Sequence, residues 1–128
     1  MANEIPESVV VAMQEQSFMR EQLSVTEVDY RDAVSLLVKA AQSDTSCSMV
    51  AAQVLLSLYN GYEFHIDLAA LGALDYQLLH AALIAIRGRT ILLNEPHDVI
   101  ENGKKIFAVL SDEWAHLHVK HRYQKHYI

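Results

Sequence analysis

Apolar side chains recur three or four positions apart along almost the whole chain, and little interrupts them. Its 128 residues hold two prolines and four glycines, no two of which are adjacent. Side chains at that spacing return to one side of an α-helix, whereas a strand facing a core would alternate. The reading is therefore an all-α protein, a bundle of about five helices in a single domain over residues 1–128.

The first helix is expected over 6–23, with Val10, Val11, Phe18 and Met19 among its apolar positions. Its pattern is loose, which suits a terminal helix that packs on another subunit. A second helix has two candidate starts, Ser24-Val25-Thr26-Glu27 in capping-box form and Thr26 followed by Asp29. Its stripe is Tyr30, Ala33, Val34, Leu37, Ala40 and Ala41. The third begins at Asp44-Thr45-Ser46, is apolar on most sides and stops at Asn60-Gly61, so it belongs at the centre.

Residues 62–67 alternate apolar and polar and read as an extended connector. If they formed a strand, its partner would have to be Thr90-Ile91-Leu92-Leu93. A helical turn over 67–74 comes next, and then a helix over 75–87. That helix turns Tyr76, Leu79, Ala82, Leu83 and Ile86 inward, and Gly88 closes it. A last helical region opens at Asn94-Glu95-Pro96-His97 and runs through Trp114 and Leu117, with Ser111 as the cap of a second piece if it divides.

Composition narrows the function more than it names one. Hydrophobic residues make up 52% and charged residues 20%, so a packed core is expected and whole-chain disorder is not. The lone Cys47 has no disulfide partner, which with the acidic N-terminus points to a cytoplasmic protein without a signal peptide. The greasiest window, 66–86, is broken by Asp67, Asp75 and His80, and does not read as a membrane span. The net charge of −6 is uneven: residues 1–86 carry eleven acidic and three basic side chains, and 87–128 carry five and seven. The overall sign disfavours nucleic acid as a general partner.

Chemistry-bearing residues concentrate at the C-terminus, where residues 118–128 are set apart as a His/Lys/Arg-rich segment free to move. His116, His118 and His121 are candidate metal ligands, although only His118 and His121 have the spacing that shares a helical face. His116 falls about 160° from His118 around a helix. Lys120, Arg122 and Lys125, interleaved with Tyr123 and Tyr127, are candidate anion contacts. Asp67 and Asp75 fit helix caps better than an acid–base pair, and His80 fits a boundary residue bonded to a backbone carbonyl. No phosphate loop, nucleophile elbow or His-Glu-x-x-His occurs, so the reading leans away from an enzyme and requires no cofactor.

The middle of the chain, about 36–90, resembles a family of small uncharacterised helical proteins associated with proteobacterial plasmids, phages and other mobile elements. The resemblance rests on Asp44-Thr45, Val50-Ala51, Leu55-Leu56, Asn60 and the run Ile66-Asp67-Leu68-x-x-Leu71-x-x-Leu74-Asp75. Leu58-Tyr59 stand where that family usually carries two tryptophans, and the His-rich end has no counterpart there. The resemblance implies helical folding and a mobile-element source, and it names no substrate. Together these readings give a non-enzymatic interaction module that self-associates and binds or regulates a partner protein. Phe18, Met19, Trp114 and Tyr123 are the candidate contacts. The alternative is a small metal- or nucleic-acid-binding protein that uses the C-terminal histidines and cations.

Overall fold

A segment that is apolar on most sides is stable in water only when other elements surround it, and residues 50–56, with Gln53 their one polar side chain, are such a segment. In the computed structural model, which describes residues 4–123, every residue from Val50 to Leu56 is buried. They form the middle of a helix, Ser48–Tyr59. The described residues form six α-helices: α1 (Glu7–Leu23), α2 (Glu27–Ala41), α3 (Ser48–Tyr59), α4 (Tyr76–Arg87), α5 (Gly103–Glu113) and α6 (Val119–Arg122). Short 3-10 turns over Leu68–Ala73, Pro96–Asp98 and Ala115–Leu117 join them. The all-α reading holds.

Helix α2 packs against both α3 and α4, and α5 closes on α3. The α2 stripe is buried as expected at Tyr30, Ala33, Val34, Leu37 and Ala41, with Val38 added. In α4 the inward face differs from the expectation. The buried residues are Leu78, Ala81, Ala82 and Ala85, while Tyr76 and Leu83 are exposed. Small alanines let α4 lie close to α2, so backbone proximity rather than side-chain bulk selects the face.

Several boundaries arise from local chemistry. Thr26 caps α2, its hydroxyl accepting from the Asp29 amide at 3.0 Å. The Ser24 capping box does not form, because Ser24 Oγ donates to the Glu21 carbonyl at 2.7 Å and finishes α1 instead. Asp67 and Asp75 are caps, accepting from Ala69 N at 3.1 Å and Leu78 N at 2.8 Å. The start of α3 is held by Ser48, whose buried hydroxyl accepts from Thr45 N and donates to the Ser43 carbonyl. Cys47 is half-buried at the N-cap position of α3.

Gly88 does not close α4. Its φ of −58° is helical, and the chain runs on through a π-helical turn, Gly88–Leu92, to Leu93. A Cβ on Gly88 would lie 2.3 Å from the Tyr30 ring, so this glycine serves close approach between α2 and α4. Leu93 ends the turn in the left-handed region at φ 61° with its side chain exposed. Ser111 caps nothing: it lies inside α5 and its hydroxyl donates to the Phe107 carbonyl at 2.8 Å. The division falls at Trp114, whose indole donates to the Ala41 carbonyl. Residues 62–67 are a connector, with one isolated antiparallel bridge between Phe64 and His118. Thr90–Leu92, the expected partner of a strand here, lies in the π turn and is not available.

Candidate functional site

The C-terminal histidines occupy different surroundings. Helix α5 ends before them, so the expected continuous helical face through His118 and His121 does not form. His118 is instead the N-cap of α6, its Nδ1 accepting from the Lys120 amide at 3.0 Å. Its Nε2 lies 4.0 Å from a Glu63 carboxylate oxygen, and its ring is 6.3 Å from that of His121. His116 lies against Trp114, with ring centroids 5.6 Å apart. Among the described residues, no three His, Cys, Asp or Glu side chains converge as a metal site would require.

The cations are also spread. Arg122 donates to the His65 carbonyl and stands 5.4 Å above the Tyr123 ring, while Lys120 is exposed to solvent. Lys125 lies outside the described residues. Residues 118–123 are therefore tied back to the connector through the Phe64–His118 bridge and the Val119 N–H bond to the Glu63 carbonyl at 2.8 Å.

Two other places hold groups with chemical capacity. His80, expected beside the core, is exposed at the rim of a cavity of about 250 Å³ between α2 and α4, together with Asp29 and Asp32. His97 is more confined. Its ring meets Tyr59 edge-on at 5.1 Å, its Nε2 lies 3.2 Å from Asp98, and its buried Nδ1 has no hydrogen-bond partner. Gly103 sits directly on the carbonyl of this residue.

Large apolar side chains stand exposed along α1. Helix α1 buries none of its seventeen residues. Val9, Val10, Val11, Met13, Phe18, Met19 and Leu23 are all exposed, Phe18 at 62% and Met19 at 57%. Of the four expected contacts, then, Phe18 and Met19 stand on α1 and are open. Trp114 is half-buried on the end of α2, and Tyr123 lies beside His65 near Phe64, Ile66 and Leu68. The four do not make one patch. Phe18 and Met19 are themselves about 100° apart around the helix and address different sides. A second apolar edge, unforeseen in the sequence, is formed by Tyr62 and Leu93, which flank a groove floored by the Arg89–Glu95 ion pair.

Comparison with known proteins places the core of this fold in a family. The chain belongs to a family of unknown function, DUF7673, whose family model matches residues 31–115. That span runs from α2 through α5, and α1 and α6 lie outside it. No curated protein and no solved structure matches the chain.

Proposed function

We propose that this protein is a non-enzymatic interaction module, with α1 as its recognition element and a host or mobile-element protein as its partner in the cytoplasm. One observation carries the reading: a helix of seventeen residues with no buried side chain presents large apolar groups to water on several sides. Helices of this length are marginal alone, and three successive β-branched residues, Val9-Val10-Val11, lower the propensity further. Pro6 at its N-cap supplies no side-chain hydrogen bond. Such a helix gains most of its stability from a surface that covers it. No helix among the described residues is long and apolar enough to cross a membrane, so the bilayer core is not that surface for a spanning helix.

A photo-crosslinking side chain at position 18 of the full chain tests this in cells that carry the gene. A discrete adduct with a second protein is expected there and not from the exposed position 112 on α5. The captured protein, once purified, should bind the full chain, and Phe18→Asp should weaken that binding roughly thirty-fold, as loss of a central aromatic anchor does. Equal crosslinking from both positions, or binding indifferent to Phe18→Asp, would contradict the proposal.

A further inference from the structure

We infer that the side of α1 opposite Phe18 pairs in parallel with α1 of a second copy of this chain. The inference rests on the reading of α1 as a recognition element and names one of its partners. Val9, Ala12, Gln16, Met19 and Leu23 succeed one another at spacings of three, four, three and four, which is the seam of a two-heptad coiled coil. None of the five is buried within the chain. Phe18 stands about 140° from the middle of this seam, so the two sides of the helix can be occupied independently.

Charge and polarity select the partner and its direction. In this register Glu15 and Arg20 flank the seam at the two positions that meet across a parallel pair, five residues apart on opposite chains. Each copy therefore supplies one carboxylate and one guanidinium, and two identical ion pairs form. Gln16 lies in the seam and meets its own counterpart, where each amide can both donate and accept. In an antiparallel pair Gln16 would face Ala12 or Met19, leaving the amide without a partner, and the Glu15–Arg20 pairs would not form. A lone polar seam residue of this kind fixes register at the expense of affinity. With only two heptads and a polar residue in the seam, the dimer is weak and depends on concentration.

The test uses the full chain and two kinds of variant. Sedimentation equilibrium should show a monomer–dimer equilibrium. Glu15→Arg should weaken it roughly ten-fold, and adding Arg20→Glu to that variant should restore it, an outcome that loss of folding cannot mimic. Gln16→Leu should tighten the dimer, although in an isolated helix the same exposed substitution changes nothing in the mass. In a Cys47→Ser background, Val9→Cys alone and Leu23→Cys alone should each oxidise to a covalent dimer if the helices run parallel. Crosslinking only in a mixture of the two variants would overturn the parallel arrangement. A monomer at every concentration would overturn self-pairing. Neither result touches the crosslink from position 18, which reports the partner reading separately.

Discussion

Gly103→Ala should destabilise this protein more than any other single-methyl addition, by about 3 kcal/mol or more. Gly103 is the first residue of α5, and a Cβ there would lie 1.7 Å from the His97 carbonyl oxygen and 2.6 Å from its carbon. The obstacle is backbone, so no rotamer change relieves it. Either the Pro96–Asp98 turn lifts away from α5, or α5 shifts and uncovers Phe107 and Leu110, both fully buried. The turn also carries Pro96, among the fully buried side chains. Domains of this size have roughly 5–15 kcal/mol in all, so the loss is a large fraction of the total. Urea unfolding monitored by circular dichroism would measure it. A change below about 0.5 kcal/mol, the ordinary range of a surface substitution, would show that the approach of α5 to the turn is not tight.

The second large effect is a loss of stability above pH 10, traced to one phenol. Tyr30 is fully buried at the start of α2, its ring lies against Gly88, and its hydroxyl donates to the Asn94 carbonyl at 2.7 Å. Burial pushes its pKa from 10.0 up to about 12, with Glu95 and Asp98 adding to the rise and Arg89 opposing it. The folded state thus holds the proton more tightly than the unfolded state. Its contribution is complete below pH 10 and is lost as pH climbs from 10 to 12, on the order of 3 kcal/mol over the interval. Tyr30→Phe should cost about 1 kcal/mol at neutral pH through the missing hydrogen bond. It should then lose less than the parent on going from pH 10 to 12, so the two stability curves cross within that interval and the variant is the more stable at its upper end. Parallel curves would mean that Tyr30 does not govern the alkaline limit.

Much of the fold was legible where the chain's own neighbours decide it. Thr26, Asp67 and Asp75 cap the helical segments they precede because a short oxygen-bearing side chain reaches an amide two or three residues on, whatever the tertiary context. The apolar character of α3 on most sides likewise forces it to the centre. Two of the misreadings, at Gly88 and on the inward face of α4, share one cause, which is that a residue type served a contact distant in sequence. A glycine after an amphipathic stripe reads equally as a stop or as room for a neighbour, and only the position of Tyr30 decides for Gly88. Ser24 and Thr26 compete for one cap, and Ser24 lost because the end of α1 could use its hydroxyl. The α4 face was misjudged because large side chains were taken as buried, while packing on α2 favoured alanines. The candidate site was partly legible. The loose apolar pattern of α1 raised the expectation that it packs on another subunit, and what the structure adds is that Phe18 and Met19 are exposed. The left-handed Leu93 and the orphaned nitrogen of His97 had no signal in the sequence.

The recognition role of α1 is tested most directly by hydrogen exchange of its amides in the full chain, measured from low to high micromolar concentration and then with the captured partner. If α1 is completed by another protein surface, its amides exchange quickly in dilute protein and become protected as copies or partner are added, while those of α3 stay protected throughout. Exchange in α1 that is fast and unchanged under all three conditions would contradict the claim that this helix is a recognition element.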